Sequence, residues 1–259
     1  MIISIGATLG LKKIIKQEII DLESHIKISG INENSNPIYI IENTLSTINE
    51  IEDIFPVIYK PTIISGKNTI EGVMLKGIPE EYNAKMIRKH IVSGTYFQNN
   101  KKNEILISNE HAKKLKLKTG DTCILYFMSK NNNIQKRKFF IVGVYNMNNE
   151  AFNSTYAFTK IDFNQKLNNW EDKEFSNYEI TLRKNSNSET ITHKINNILP
   201  YNLIAHSIKS RFPRIFNWIN LFDKNMLFIL VIMSIICVIN MTNALLILIL
   251  ERLKMIGIL

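Results

Sequence analysis

Catalytic machinery is what this sequence most conspicuously lacks. Its five histidines, His25, His90, His111, His193 and His206, are scattered along the chain, and no HExxH or CxxC spacing offers a metal its ligands. There is no G-x-x-x-x-G-K-[ST] run, so the chain holds no phosphate-cradling loop and is not itself an ATPase. A G-x-S-x-G nucleophile elbow is missing too. Asn109, Glu110 and His111 are adjacent and could mimic part of an acid–base group, but Asn109 as a helix cap on a solvated face is the better reading. Cysteine is scarce: Cys123 falls in a strand-like stretch and Cys237 in an apolar run. They cannot bridge, so no disulfide framework exists and the redox compartment is not readable from them. Gly/Ser-rich linkers, Pro-rich linkers and internal repeats are also missing. The basic clusters Lys12-Lys13, Lys101-Lys102 and Lys136-Arg137-Lys138 are short and carry no interleaved aromatics, which excludes a stacking platform for nucleic acid. The net charge of +9 comes from 32 basic and 23 acidic residues. Both signs are interspersed, which suits a solvated, mildly basic surface facing anionic lipid headgroups.

What the chain does have is one long apolar run. Met226 to Leu250 is 25 residues without a charge, proline or glycine. As a helix it spans roughly 37 Å, more than the ~30 Å hydrocarbon core of a bilayer. A buried helix of a soluble domain seldom needs such all-round hydrophobicity. The preceding residues extend the helix back to Pro213, a residue suited to a first turn, with Ile215, Phe216, Trp218, Ile219 and Phe222 forming an apolar face. One rod of about 57 Å is expected from Pro213 to Leu250, rising roughly 20 Å above the membrane. Asn240, Thr242 and Asn243 place polar side chains in the run. Amides in lipid seek partners, so they mark a face packed on another helix, although Thr242 also suits bonding to its own backbone. Glu251 to Leu259 alternates charge and hydrophobe as an interfacial segment does. At the other end, Met1 to Leu11 is apolar but spans only about 16 Å as a helix. It lacks the basic start of a secretory signal and reads as the second half of a spanning helix, continued by an amphipathic stretch to Leu22.

Between these ends the pattern is α+β. Strands are expected at 25–29, 53–64, 69–76, 104–108, 122–127, 135–145, 156–159, 178–183 and 202–205. Helices are expected at 44–51 (with Asn43 as a possible cap), 110–115, 161–167 and 189–199, and 79–91 is helical or irregular. Turns fall at Ser65 to Asn68 and Lys118 to Asp121, and a polar tip at Ser129 to Asn133 closes a long hairpin.

Three stretches together resemble a known family. MIISIGATLGLKKIIKQEI is similar to the end of a first transmembrane helix in lipoprotein-releasing (LolC/LolE-type) ABC transporter permeases, members of the MacB/FtsX-like superfamily. EILISNEHAKKLKLKTGDTCILYF followed by FFIVGVYN resembles the family's extracytoplasmic core. FDKNMLFILVIMSIICVINMTNALLILILERLKMIGIL resembles its second transmembrane helix and cytoplasmic coupling segment. The resemblance covers essentially the whole chain. It implies a MacB-like extracytoplasmic domain, with a mixed-sheet lobe and a smaller β-rich lobe, carried on a membrane-spanning helix with a partial first transmembrane helix. The corresponding division is 1–22 (end of the first transmembrane helix and stalk), 23–210 (core domain), 211–250 (stalk and transmembrane helix) and 251–259 (coupling segment).

The implied function is that of an inner-membrane permease subunit that releases lipoproteins, with the large domain periplasmic. No cofactor is implied, and ATP hydrolysis belongs to a separate ABC ATPase subunit gripping Glu251, Arg252, Leu253, Lys254, Met255 and Ile256. Leu227, Ile229, Met233, Cys237, Asn240 and Asn243 would face the substrate cavity or a neighbouring helix. The implied partners are that ATPase, a second permease subunit in a homo- or heterodimer, a lipoprotein substrate and a periplasmic lipoprotein carrier, with no nucleic acid. Two departures stand out. The loop Met128 to Gln135 is short and Asn-rich where the family's carrier-docking hairpin is longer and apolar. Family members also have four transmembrane helices, whereas this chain ends at Leu259, so it is expected to be a gene fragment, a frameshifted product or one half of a split permease. Two other functions compete: mechanotransmission of the MacB or FtsX kind, driving efflux or a cell-wall hydrolase, and a membrane-anchored binding or sensor domain without an ATPase.

Overall fold

The computed structural model describes the chain except residues 1, 32–41, 68, 83, 99–102, 129–132, 169, 171–173, 185 and 257–259. In chain order its elements are α1 (Ile2–Glu23), β1 (Ile26–Gly30), α2 (Glu42–Leu45), β2 (Ile51–Ser65), β3 (Ile70–Ile78), α3 (Ala84–Lys89), β4 (Ile91–Gly94), β5 (Glu104–Ser108), α4 (Asn109–Leu115) and β6 (Thr122–Met128). There follow β7 (Ile134–Tyr145), α5 (Glu150–Asn153), β8 (Tyr156–Lys160), α6 (Ile161–Asn168), β9 (Asn177–Leu182), α7 (Ser188–Ile198), β10 (Leu203–Ser207), α8 (Ile208–Arg211) and α9 (Pro213–Ile256). Two compact units result: Ile19–Arg211, and Met1–Glu18 with Phe212–Leu259.

In the larger unit β2 belongs to both lobes. Its first half, Ile51 to Val57, pairs with β9, and its second half, Ile58 to Ser65, pairs with β3. Two prolines sit in this strand. Pro56 lies before the β3 ladder begins, and Pro61 lies before the β6 ladder begins at Ile63. At each proline β2 has a neighbour on one side, so its missing N–H interrupts no second ladder. On one side of this switch lies the sheet β10–β1–β9–β2. On the other, β2–β3–β8–β5–β7–β6 close into a ring, because β6 bonds both β7 and β2. Strand β4 extends this lobe as an edge on β7. The sheet is mixed, with parallel pairs β3–β8 and β5–β7.

Strand alternation fills both lobes. Cys123, Leu125 and Phe127 of β6 meet Leu75, Ile105, Ile107, Phe139 and Ile141 inside the ring. Ile26, Ile28, Tyr178 and Ile180 of the open sheet pack with Leu45, Ile191 and Ile195. A third cluster, with Leu22, Val57, Ile78, Tyr82, Ile87 and Phe158, covers the opposite face. Burial of this kind contributes roughly 25 cal/mol per Å2 of apolar surface. Gly94 makes a turn no other residue can make comfortably: its φ is +82°, and a Cβ there would lie 2.2 Å from the Val142 carbonyl oxygen.

The α+β architecture agrees with the sequence, and most strands fall within a residue or two of their expected limits. Several local expectations are corrected. The helix expected at 44–51 is the four-residue α2, with Asn43 inside it rather than capping it, and Ile51 opens β2. The residues after Leu45 go into turns and then pair in the sheet, so tertiary pairing overrides the helical pattern. The cap of α4 is Ser108, whose Oγ accepts from the His111 N–H at 3.1 Å, and not Asn109, which lies within the helix. His111 is buried rather than on a solvated face. The turn residue Asn68 and tip residues 129–132 lie outside the described residues.

In the smaller unit, α9 runs for 44 residues, about 66 Å at 1.5 Å per residue. Pro213–Arg252 is long and apolar enough to cross a membrane.

Candidate functional site

Helical periodicity decides which of the proposed membrane residues share a face. Ile229, Met233, Cys237 and Asn240 follow one another at spacings of four, four and three along α9, so they form one stripe, and Asn243 continues it three residues on. Leu227 stands about 120° away around the axis from Met233. All six side chains are exposed on the helix. Ser234 and Thr242 donate to the carbonyls of Leu230 and Val238 at 2.8 Å, so their hydroxyls are satisfied by their own backbone. Among the described residues no side chain bonds the amides of Asn240 or Asn243. Glu251 and Arg252 are helical and exposed. Leu253, Lys254, Met255 and Ile256 are helical too, but their side chains lie outside the described residues, as do residues 257–259.

The most densely charged interior lies in the larger unit. Strand register creates it: Lys27 of β1 is directly opposite Glu179 of β9, and Tyr59 of β2 is opposite Lys76 of β3. Lys76 and Glu179 are 1% and 0% exposed, with Nζ and Oε1 2.8 Å apart. Glu179 also accepts from the hydroxyls of Tyr59 and Tyr82, and Lys76 donates to Tyr82 at 2.6 Å. Burial alone would raise the Glu179 pKa; the Lys76 charge and the hydrogen bonds outweigh it and hold the carboxyl below its usual range. Burial and the Glu179 charge push both tyrosines well above theirs. The Lys27 ammonium lies 3.7 Å over the Tyr59 ring. Burial first and the nearby Arg211 charge second bring its pKa down to about 8.

A second pair adjoins the first. Glu23 ends α1, and its carboxylate accepts from Arg211 at the end of α8 and from Tyr156 Oη at 2.9 Å. Arg211 also donates to the Glu23 carbonyl at 2.9 Å, one of the oxygens a helix end leaves without an intrahelical partner. The Tyr59 and Tyr156 rings, 6.2 Å apart, join the pairs. Three cations and two carboxylates thus share one interior. The grouping links α1, β2, β3, β8, β9 and α8 through ion pairs and hydrogen bonds. Among the described residues no three His, Cys, Asp or Glu side chains gather as metal ligands. Sequence reasoning did not find this cluster. Its members alternate with core residues, the ordinary pattern of a strand with one solvated face.

These features define a domain of mixed sheet and strand ring in a chain that also holds a helix able to cross a bilayer. A model of the MacB-like periplasmic core domain family matches residues 1–198. The chain belongs to that family. A similar solved structure is the periplasmic region of MacB from Actinobacillus actinomycetemcomitans, 14% identical, covering 76% of this chain and 96% of that one with a TM-score of 0.49. Another is the extracellular domain of the noncanonic ABC-type transporter YknZ from Gram-positive bacteria, 13% identical, covering 70% and 99% with a TM-score of 0.44. No curated protein matches the sequence.

Proposed function

We propose that this chain is a permease subunit of the inner membrane whose long helix passes the motion of a separate ABC ATPase to its periplasmic domain. The observation that carries this reading is α9, unbroken from Pro213 to Ile256. A continuous helix transmits displacement along its length, whereas a kink at proline or glycine would absorb it. The family implies an ATPase partner and dimeric assembly. The ATPase would grip Glu251 to Ile256, and the stripe Ile229, Met233, Cys237, Asn240 and Asn243 would meet the second permease subunit or the substrate path. The catalytic step of ATP hydrolysis would lie wholly in the partner.

Lipoprotein release to a periplasmic carrier is the finer reading, resting on the resemblance of the two terminal segments to lipoprotein-releasing permeases. Mechanotransmission to an efflux channel or a cell-wall hydrolase fits the same domain and helix equally well. Affinity purification of the full chain from detergent-solubilised membranes separates these readings. Recovery of a nucleotide-binding subunit with an acylated lipoprotein supports lipoprotein release. The same subunit with a hydrolase or an outer-membrane channel supports mechanotransmission. Purification without any nucleotide-binding subunit overturns the permease reading and leaves a membrane-anchored binding domain.

A further inference from the structure

The polypeptide joins the larger unit through Ile19 and leaves it at Arg211, and the two segments are fastened to each other. Helix α1 ends abruptly: Ser24 has φ +57°, its N–H donates to the Ile20 carbonyl at 2.8 Å, and its Oγ donates to the Glu23 carbonyl at 2.6 Å. The chain then enters β1, where Ile26 is opposite Ser207 of β10. Beyond that ladder the Ile208 N–H donates to the His25 carbonyl at 2.9 Å. Ser207 Oγ accepts from the Ser210 N–H at 3.2 Å and opens α8. At the end of α8, Arg211 reaches back across 188 residues of sequence to both the carbonyl and the carboxylate of Glu23. Tyr156, from β8, takes the other carboxylate oxygen. Strand β10 is the outermost strand of this sheet, held in it by the β1 ladder alone. A buried ion pair adds little net stability over an apolar pair of the same size, so its distinctive contribution is to fix which groups lie together.

We propose that Glu23, Arg211 and Tyr156 form a mechanical clasp that makes segments 19–30 and 203–211 one body. Displacement reaching either segment along the chain is then delivered to β1 and β10 together, and the sheet β10–β1–β9–β2 turns as a block. Without the clasp, pulling on one segment would fray the edge strand β10 from β1. Glu23 and Arg211 are positioning residues in this account. The account deepens the proposed function and rests on it for its purpose, but not for its test.

Hydrogen exchange read by mass spectrometry on the full chain in lipid nanodiscs tests it. Glu23→Gln and Arg211→Met should each speed exchange in peptides 24–30 and 203–211 by about tenfold or more, since each removes the ion pair that joins them. Peptides from β5, β6 and β7 should keep their wild-type rates. Tyr156→Phe, a milder change, should speed the same two peptides by about threefold, a loss of roughly 0.7 kcal/mol and typical of one hydrogen bond. Glu23→Cys with Arg211→Cys, joined by a short bis-maleimide in a Cys123→Ala, Cys237→Ala background, should restore slow exchange at both segments. Equal acceleration throughout the domain, unchanged exchange at the two segments, or a tether that restores nothing would each overturn the clasp. No ATPase takes part in this experiment. A failed clasp therefore leaves the permease reading standing, and a purification without an ATPase leaves the clasp standing.

Discussion

Replacing Lys76 by methionine isolates the energetics of the buried cluster. The substitution roughly preserves side-chain volume and removes the countercharge of a carboxylate that is 0% exposed. Glu179 keeps its Tyr59 and Tyr82 donors, but Tyr82 loses the Lys76 donor that bonds it at 2.6 Å. Breaking one side of a buried pair costs about 3–5 kcal/mol. For a domain of this size that is a fall in melting temperature of roughly 6–20 °C. The double variant Lys76→Met, Glu179→Gln removes the stranded charge and should recover at least ~2 kcal/mol relative to the single variant. The pH dependence should reverse as well. In the wild type the folded pKa of Glu179 is depressed, so its contribution is present above the unfolded value and is lost as pH falls through the folded one. In Lys76→Met the carboxyl stays buried but loses the cation that bonds it at 2.8 Å, so burial prevails and its folded pKa is raised. That variant should therefore gain stability relative to wild type as pH falls from 7 to 5. Urea denaturation of the full chain in detergent, followed by circular dichroism at both pH values, measures all of this. A loss below about 1 kcal/mol for Lys76→Met, or a double variant less stable than the single one, would refute the reasoning.

Further outcomes follow from the same structure. Lys27→Met should stabilise the domain by about 1–2 kcal/mol at pH 7, because it removes a charge whose burial is only partly offset by Glu179 and Glu23. The folded lysine has a pKa of about 8 against the ordinary 10.5, so wild-type stability rises between those values and the advantage should fade from pH 8 to 10 in thermal melts. His111 is pushed below its usual pKa chiefly by burial, so wild-type stability should fall as pH drops through 6.5. His111→Asn should flatten that slope in the same melts. Gly94→Ala should cost about 3 kcal/mol or more in urea denaturation, because a methyl would meet the Val142 carbonyl oxygen at 2.2 Å on a backbone with positive φ.

The apolar helix and the individual strands of the ring were legible because each rests on local pattern. A 25-residue apolar run needs no tertiary information, and the ring strands alternate cleanly, as in Cys123, Leu125 and Phe127 of β6. Ring closure was not legible, since the bond between β6 and β2 depends on where β2 leaves β9 and joins β3. The prolines at 56 and 61 mark that switch only once the partners are known. The charge cluster stayed hidden for a related reason. Lys27, Lys76 and Glu179 occupy positions that alternation assigns to solvent, yet Leu22, Tyr82 and Ile87 of the third core cluster cover that face. Neither Glu23 nor Arg211 signals its partner, because 188 residues separate them.

The proposed transmission of motion along α9 requires the large domain and the foot at Glu251 to Ile256 to lie on opposite sides of the bilayer. Single cysteines at Lys209 and Lys254, in a Cys123→Ala, Cys237→Ala background, give the most direct measurement when probed with a membrane-impermeant maleimide on intact spheroplasts. Position 209 should be labelled at once and position 254 only after the membrane is permeabilised. Labelling of both positions before permeabilisation, or of neither, would place the domain and the foot on one side and contradict it.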